Sequence, residues 1–326
     1  MKVPEFNYGA IAPTFTIFNE DGSFDPAGQC RFLDFLLELG GINAFFLRSG
    51  MGQMYTFSME DTKAMARAAC RHLAGKAPAL IGCSGIWDRN YDRLPDPAVY
   101  LEEALELSKY AADQGAAGVV FTIPEGLTPA EGQSIEDLTV GYFEKVCAGV
   151  SCPVFFYQPP QTRAAYCLTP RTLSRMADVD NLVGGKVSSR DAQYLFDLIW
   201  AVKDKEFGFI VGAESAFYAG LVVGARACIG QGCTVNARIV KAVADRYFAG
   251  DLEGAVAAQA DVNGIVSVSP NPVDFIKRMA AEKGYPVGMH ARKMENNPYM
   301  EDRAPITGRE YEAYKVIWEE TLARYA

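Results

Sequence analysis

The chain has 326 residues, of which 49% are hydrophobic and 22% charged, the balance of a globular protein with a sizeable core. Its formal net charge of −9 and its pI near 5.0 argue against nucleic acid and against an anionic membrane surface as partners. The length fits one large barrel or two ordinary domains.

The sequence predicts neither a targeting segment nor a metal centre. No basic stretch followed by a long apolar one opens the chain, so we expect no signal peptide, and no apolar run approaches the ~18 residues of a transmembrane helix. The eight cysteines form no Cys-x-x-Cys pair, and His72 and His290 are the only histidines. These features predict reduced thiols in a cytoplasmic protein that binds no metal.

Eight short apolar runs alternate with amphipathic helical stretches up to about residue 250, a pattern typical of parallel βα units. Several runs are apolar at successive positions, as expected of strands that are covered on both faces. In chain order, the predicted strands span residues 9–15, 42–48, 78–84, 116–124, 153–158, 181–187, 208–213 and 226–232.

The helical stretches between these strands carry start signals. Asp25 and Pro26 open the first helix as N-cap and first helical residue, and Ser58 with Asp61 has capping-box spacing before the second. Eight strands with about eight helices predict an α/β fold, a (β/α)8 TIM barrel, over residues 1–250. A doubly wound sheet is the alternative, but no glycine-rich phosphate turn follows the first strand.

Beyond residue 250 the pattern changes to helices with no strands between them. Amphipathic stretches begin near Leu252, Asn271 and Thr307, and the polar segment 290–305 connects the last two. We expect residues 251–326 to form an appended C-terminal helical layer packed on the barrel, because no free linker separates them from it.

Polar residues at the carboxyl ends of the predicted strands are candidate catalytic groups, because TIM-barrel active sites lie at that end. Lys186 follows an apolar run on the sixth strand, and Tyr157 closes the fifth. A lysine desolvated on a barrel wall has a lowered pKa, so it can attack a carbonyl carbon as a neutral amine and form a Schiff base. A neighbouring phenol can move the protons of that reaction. The alternatives are a lysine paired with a loop carboxylate and an ordinary core tyrosine.

Over roughly residues 8–300 the chain resembles the dihydrodipicolinate synthase / N-acetylneuraminate lyase superfamily of class I pyruvate aldolases. Tyr157 lies in "YQPP", where the family has a YNxP-like motif, and Lys186 lies in "GGKVSS", which matches its G-x-K-x-[ST] motif. The resemblance implies a Schiff-base lysine, a proton-shuttling tyrosine and no cofactor beyond the covalent imine on Lys186. We interpret the two glycines before this lysine as room for a substrate carbon.

The loop after the second strand is a candidate carboxylate site. The stretch Ser49-Gly50-Met51-Gly52-Gln53 stands where the family has Gly-[TS]-Thr-Gly-Glu. The resemblance implies that backbone amides of this loop hold the carboxylate of a 2-oxo acid. Both threonine-position hydroxyls are absent, and a plain βα turn would tolerate the same glycines, so that alternative stays open.

Departures from the family pattern favour a sugar-acid substrate over lysine biosynthesis. Where the family often has Pro-Tyr-Tyr after the fourth strand, with one tyrosine completing a proton relay in the synthases, this chain has Pro124-Glu125-Gly126. The resemblance to the lyase branch places contacts to sugar hydroxyls on Gly212, Glu214 and Gln231, with ordinary loop solvation as the alternative. Two further candidate substrate contacts are Glu125, as a polar or acid/base group, and Arg163, matched to the synthases' carboxylate-binding arginine with a one-residue insertion.

These features together predict a Schiff-base-forming aldolase or lyase that cleaves or forms a C–C bond between pyruvate and an aldehyde. The expected substrate is of sugar-acid type, as for an N-acetylneuraminate lyase or a 2-keto-3-deoxy sugar acid aldolase. The alternatives are a 4-hydroxy-tetrahydrodipicolinate synthase, a 2-oxo-3-deoxy sugar acid dehydratase and a non-catalytic barrel that binds a 2-oxo acid. The resemblance also implies a homo-oligomer, a tetramer or a dimer.

Overall fold

The computed structural model describes residues 1–293, 296 and 305–325. Eight parallel strands close into a barrel in sequential order, and helices connect successive strands, which confirms the predicted TIM barrel. None of the described helices is long and apolar enough to cross a membrane. The strands are β1 (Gly9–Pro13), β2 (Ala44–Leu47), β3 (Ala79–Gly82), β4 (Gly118–Thr122), β5 (Val154–Gln158), β6 (Leu182–Val187), β7 (Gly208–Val211) and β8 (Ala227–Cys228).

Helices cover the outside of the barrel and continue beyond it. They are α1 (Pro26–Leu39), α2 (Met59–Leu73), α3 (Pro97–Asp113), α4 (Ile135–Ala148), α5 (Pro170–Met176), α6 (Ala192–Ala201), α7 (Phe217–Val223), α8 (Gly232–Val235), α9 (Ala237–Phe248), α10 (Leu252–Ser267), α11 (Pro272–Glu282) and α12 (Gly308–Ala323). Asp25 caps α1 by accepting from the amide of Gly28, and Ser58 with Asp61 forms the predicted capping box of α2.

The strands are buried on both faces, which explains their apolar sequences. Phe46, Phe155 and Ile210 fill the barrel interior together with Tyr157. A larger apolar layer lies between the strands and the surrounding helices. The interior is therefore a packed core, and a substrate can bind only at an end of the barrel.

The register between β5 and β6 contains an irregularity. Val154 pairs with Leu182, whereas the next residue, Phe155, pairs with Gly184. One extra residue of β6, Val183, therefore has no partner on β5, which is the arrangement of a β-bulge.

Because of this bulge, the side chains after it point to the side of the sheet opposite to the one expected in a regular strand. In a regular strand, residues four apart point to the same side of the sheet. Val183 nevertheless belongs to the interior cluster, whereas Val187 belongs to the outer layer. The side chain of Lys186 consequently points into the barrel, beside Tyr157, with which it pairs in register.

The two glycines before Lys186 serve strand packing, which contradicts the interpretation that they leave room for a substrate carbon. A Cβ atom on Gly185 would lie 2.1 Å from a ring carbon of Phe156, and one on Gly184 would lie 2.5 Å from the carbonyl oxygen of Gly208. Side chains are excluded at both positions because a ring and a neighbouring strand already fill the space.

In the described residues three helices, α10, α11 and α12, follow the barrel, as predicted for the end of the chain. Phe275 of α11 packs edge-on against Trp318 of α12 with ring centroids 5.7 Å apart, and the indole nitrogen of Trp318 donates to the carbonyl oxygen of Val235. The domain boundary at residue 250 stays a prediction. Residues 294, 295 and 297–304 of the predicted connection 290–305 lie outside the described residues.

Candidate active site

Lys186 lies at the carboxyl end of β6 with its amine directed at Tyr157. The Nζ atom is 4.5 Å from the centroid of the phenol ring, and the residue is 5% exposed. Burial lowers the pKa of the amine to about 8, although Cys228, Cys233 and Glu214 act in the opposite direction. Roughly a tenth of the amine is thus neutral at pH 7. No salt bridge to Lys186 is found in the part of the chain that the structure describes, so the geometry favours a reactive amine over an ion-paired lysine.

Tyr157 presents a buried hydroxyl that has no hydrogen-bond partner among the described residues. Its side chain is fully buried, and its ring meets Phe46 edge-on with centroids 6.0 Å apart. Burial raises the pKa of the phenol far above its usual value, so it is protonated at neutral pH. A buried hydroxyl without a partner costs stability, and on a ring 4.5 Å from the amine of Lys186 it can exchange a proton with a ligand.

Ser188 is a site residue that we did not select from the sequence. It follows Lys186 by two positions, and its Oγ atom is likewise buried and unpartnered within the described residues. The serine hydroxyl lies close enough to Tyr157 to lower the pKa of the phenol, in opposition to the larger effect of burial. The two hydroxyls are therefore neighbours, although they do not form a hydrogen bond with each other in this structure. The serine position of the G-x-K-x-[ST] motif was the available signal.

The loop after β2 folds tightly against the end of β1. The hydroxyl of Ser49 donates to the carbonyl oxygen of Thr14 at 3.3 Å and accepts from the amide of Gly52 at 3.1 Å. A Cβ atom on Gly52 would lie 2.7 Å from that same carbonyl oxygen, so only glycine fits there. The amides of Gly50 and Met51 find no acceptor in the described part of the chain. Two adjacent free N–H groups are what an anion nest requires.

Glu125 is held in a network of donors. Its Oε1 accepts from Nε of Arg89 at 2.9 Å, while its Oε2 accepts from the hydroxyl of Tyr91 at 2.9 Å and from the amide of Arg163 at 3.3 Å. The guanidinium of Arg163 stacks between the rings of Tyr91 and Tyr166, at 4.8 and 4.4 Å from their centroids, and donates to the carbonyl oxygen of Glu125. These contacts favour an anchoring role for both predicted residues over direct contact with substrate.

We expect Arg89→Met to lower the free energy of unfolding by about 3–5 kcal/mol, because it leaves the Glu125 carboxylate buried without its counter-ion. The side chains of this pair are only 4% and 3% exposed. Urea titration of the variant measures the loss. The matched control is Arg93→Met, which removes an exposed ion pair to Asp88 near the same loop and should cost less than about 1 kcal/mol. Equal losses for the two variants would contradict the anchoring role.

The predicted sugar-hydroxyl contacts meet at the ends of β7 and β8. Gly212 donates its amide to the carbonyl oxygen of Val187 at 2.9 Å, and a Cβ atom there would lie 2.4 Å from that oxygen, so strand packing requires this glycine. Glu214 accepts from the amide of Gly232 at 3.0 Å and is almost fully buried. Gln231 precedes that amide and is partly exposed. The charge of Glu214 raises the pKa of Lys186, in opposition to the larger effect of burial.

Tyr55 is a second site residue that we did not select from the sequence. It packs against the interior cluster that contains Tyr157, and its buried hydroxyl has no partner in the described ranges. The guanidinium of Arg89 lies 5.7 Å from its ring centroid. The stretch "MYTFSMED" indicated only the start of a helix, because nothing in its spacing shows that this ring turns toward the barrel.

All eight cysteines lie in the described residues, and none of them is in a disulfide in this structure. Cys228 and Cys233 are buried near Lys186, and burial raises the pKa of Cys228 well above its usual value. The described residues contain no group of three or more His, Cys, Asp or Glu side chains that could hold a metal ion.

Curated relatives of this chain include aldolases and synthases. YagE, a putative 2-dehydro-3-deoxy-D-gluconate aldolase from Escherichia coli strain K12, is 32% identical over 219 residues, which make up 66% of this chain and 66% of that relative. A 4-hydroxy-tetrahydrodipicolinate synthase from Thermus thermophilus is 28% identical over 249 residues, 76% of either chain.

Solved structures share the fold at lower identity. YagE in complex with pyruvate superposes with a TM-score of 0.76 at 24% identity and covers 98% of this chain and 99% of that one. An N-acetylneuraminate lyase from Mycoplasma synoviae gives a TM-score of 0.75 at 19% identity and covers 97% and 98%. These likenesses show the fold alone.

The family assignment comes from a match over most of the sequence. The model of the Dihydrodipicolinate synthetase family matches residues 7–302. The chain therefore belongs to this family, whose members are class I aldolases and lyases that work through a covalent lysine–pyruvate Schiff base and need no external cofactor.

Proposed function

We propose that this protein cleaves or forms the C–C bond between pyruvate and an aldehyde of sugar-acid type, with Lys186 as the Schiff-base residue. The observation that carries the proposal is the buried amine of Lys186, with a pKa of about 8, at 4.5 Å from the ring of Tyr157. A partly neutral amine beside a protonated phenol supplies both the nucleophile and the proton source that imine formation needs.

In the proposed reaction, the neutral amine of Lys186 attacks the keto carbon of the 2-oxo acid. The resulting carbinolamine takes a proton on its hydroxyl and loses water, and Tyr157 is the donor. In the cleavage direction, the iminium nitrogen accepts the electron pair of the breaking C–C bond as the substrate hydroxyl gives up its proton to the tyrosinate and leaves as an aldehyde. Protonation of the enamine and hydrolysis of the imine then release pyruvate and the free lysine.

Substrate binding is proposed at two groups of residues at the carboxyl ends of strands, one after β2 and one after β7 and β8. The free amides of Gly50 and Met51 hold the carboxylate of the 2-oxo acid. At the ends of β7 and β8, Glu214 and Gln231 offer a carboxylate and an amide to the hydroxyls of the sugar-acid chain, next to Gly212. The name of the relative YagE, a putative aldolase of a deoxysugar acid, supports this substrate class.

The aldehyde preference is tested by condensing pyruvate with D-glyceraldehyde, N-acetylmannosamine and aspartate semialdehyde in parallel. The proposal expects turnover with one or both of the sugar aldehydes. Steady turnover with aspartate semialdehyde alone would replace it with the synthase reaction.

The rate of imine formation should rise with pH up to about 8 and level off above about 9. Below the pKa of Lys186 the amine is protonated and cannot attack, so each pH unit below about 8 should slow the reaction about tenfold. Initial rates of cyanoborohydride trapping at fixed pyruvate, between pH 6 and 9.5, measure this dependence. A rate that is flat between pH 6 and 8, or that still rises about tenfold per pH unit up to 9.5, as for a lysine with the usual pKa of about 10.4, would contradict the assignment.

The oligomeric state and the location of the protein stay predictions. We propose a homo-oligomer, a tetramer or a dimer, in the cytoplasm, where the eight free thiols would remain reduced. Light scattering of the purified protein measures the first of these.

A further inference from the structure

A segment of the chain after α11, residues 286–292, lies across the loops that follow β1 and β2. His290 forms an antiparallel bridge with Phe18, which also bridges to Phe24. A Cβ atom on Gly288 would lie 2.5 Å from the carbonyl oxygen of Phe18, so the two backbones are in close contact. The segment thus pairs with one side of the hairpin after β1, although it lies more than 250 residues later in the sequence.

Gln53, at the end of the loop Ser49–Gly52, binds this segment with both atoms of its amide group. Its Nε2 donates to the carbonyl oxygen of Arg292 at 2.7 Å, and its Oε1 accepts from the amide of Arg292 at 3.2 Å. Gln53 is buried and has a φ of 62°, a left-handed conformation that is uncommon outside glycine. The paired hydrogen bonds hold the loop in that conformation.

The guanidinium of Arg292 binds residues that follow this loop and a residue of the hairpin after β1. It donates to the carbonyl oxygen of Thr56 at 2.8 Å and to that of Gly22 at 2.7 Å. It also makes a two-pronged contact with the carboxylate of Asp61, at 2.7 and 3.1 Å. Four of the five N–H groups of the arginine are therefore used, and its Cζ atom lies 4.7 Å from the ring centroid of Phe18.

A third connection runs through Lys277 of α11. Its buried amine donates to the carbonyl oxygens of Thr16 and His290, at 3.3 and 3.4 Å. The hydroxyl of Thr16 in turn donates to the carbonyl oxygen of Gly52 at 2.5 Å. The C-terminal helices are thereby linked to the loop whose Gly50 and Met51 amides are free.

We propose that residues 286–292, which we call the strap, fix the conformation of residues 49–53, which we call the carboxylate loop. Arg292 and Gln53 are then positioning residues for the 2-oxo acid. The inference rests on the proposed function, since it takes the loop as the carboxylate site. Amides that are already aligned bind an anion without the entropic cost of ordering the loop first. Loss of the strap should therefore weaken binding of the 2-oxo acid and leave the chemistry at Lys186 nearly intact.

Kinetics of borohydride trapping as a function of pyruvate concentration test the inference. For Arg292→Ala and Gln53→Ala we expect the half-saturating pyruvate concentration to rise at least about tenfold, while the limiting rate changes less than about threefold. Arg292→Lys keeps a charge for Asp61 but loses the two-pronged contact. Its half-saturating pyruvate concentration should lie between that of the wild type and that of the alanine variants.

The matched control is Arg278→Ala. Arg278 also makes a two-pronged contact with a carboxylate, that of Asp274 at 3.1 and 3.0 Å, and donates to the carbonyl oxygen of Ile306, but it does not touch the loop. The half-saturating pyruvate concentration of Arg278→Ala should equal that of the wild type, even if the variant is thermally less stable.

Hydrogen–deuterium exchange gives a readout that does not depend on catalysis. In Arg292→Ala, peptides covering residues 49–57 should exchange faster than in the wild type, whereas peptides covering β6 should not. If the wild type forms the adduct but Arg292→Ala keeps the same half-saturating concentration, or the same exchange in the loop, this inference alone is overturned. Absence of any pyruvate adduct in the wild type would overturn the proposed function and this inference with it.

Discussion

Lys186→Ala should abolish the pyruvate adduct and reduce aldol or cleavage turnover by at least about 10³-fold, because no other lysine of the described residues lies against the ring of Tyr157. Borohydride reduction in the presence of pyruvate, followed by intact mass and peptide mapping, measures the adduct. In the wild type a single reduced adduct should map to the peptide that contains Lys186. The variant should retain its fold, since alanine removes a desolvated amine and keeps the strand apolar.

Lys277 provides an internal control for this experiment. Burial lowers the pKa of its amine to about 8 as well, so it matches Lys186 in protonation. Its amine, however, binds the carbonyl oxygens of Thr16 and His290 and faces no tyrosine in the described residues. If the adduct maps to Lys277, a lowered pKa is enough to direct the reaction and the assignment of Lys186 is wrong. An adduct that persists unchanged in Lys186→Ala contradicts the assignment as well.

The fold and the central pair could be predicted from the sequence because both depend on local patterns. Apolar runs and helix caps set the order of the elements, and consecutive parallel strands lie side by side, which places the end of β5 next to the end of β6. The direction of Lys186 could not be predicted in this way. It depends on the extra residue at Val183, and a sequence pattern with a period of two does not reveal where a bulge lies.

The contacts around Lys186 and Tyr157 could not be predicted from the sequence for a different reason. Glu125 pairs with Arg89, 36 positions earlier, and Gln53 binds Arg292, 239 positions later. Such pairings depend on how loops of different βα units pack, and no local propensity encodes them. The sequence alone therefore leaves Glu125 available to a substrate, whereas in the structure its carboxylate accepts three hydrogen bonds.

Tyr157→Phe should lower turnover by about 10²–10⁴-fold while leaving the protein as stable as the wild type or more stable. The ring contacts with Lys186 and Phe46 remain, and only a buried hydroxyl without a partner among the described residues is removed. Removing such a hydroxyl relieves an uncompensated desolvation cost of about 1–3 kcal/mol. Turnover of the aldol substrates and urea unfolding of the same preparation measure the two effects, and the pyruvate adduct should still form, more slowly.

Tyr142→Phe is the matched control for this loss. Tyr142 on α4 is also buried, and its hydroxyl also lacks a partner in the described ranges, but it packs in the outer layer against Phe121 and Phe143, away from Lys186. The two variants should therefore agree in stability and differ in turnover. Equal turnover of both variants would show that the hydroxyl of Tyr157 carries no proton in the reaction, and Ser188 or Tyr55, whose buried hydroxyls lie near it, would then be the residues to replace next.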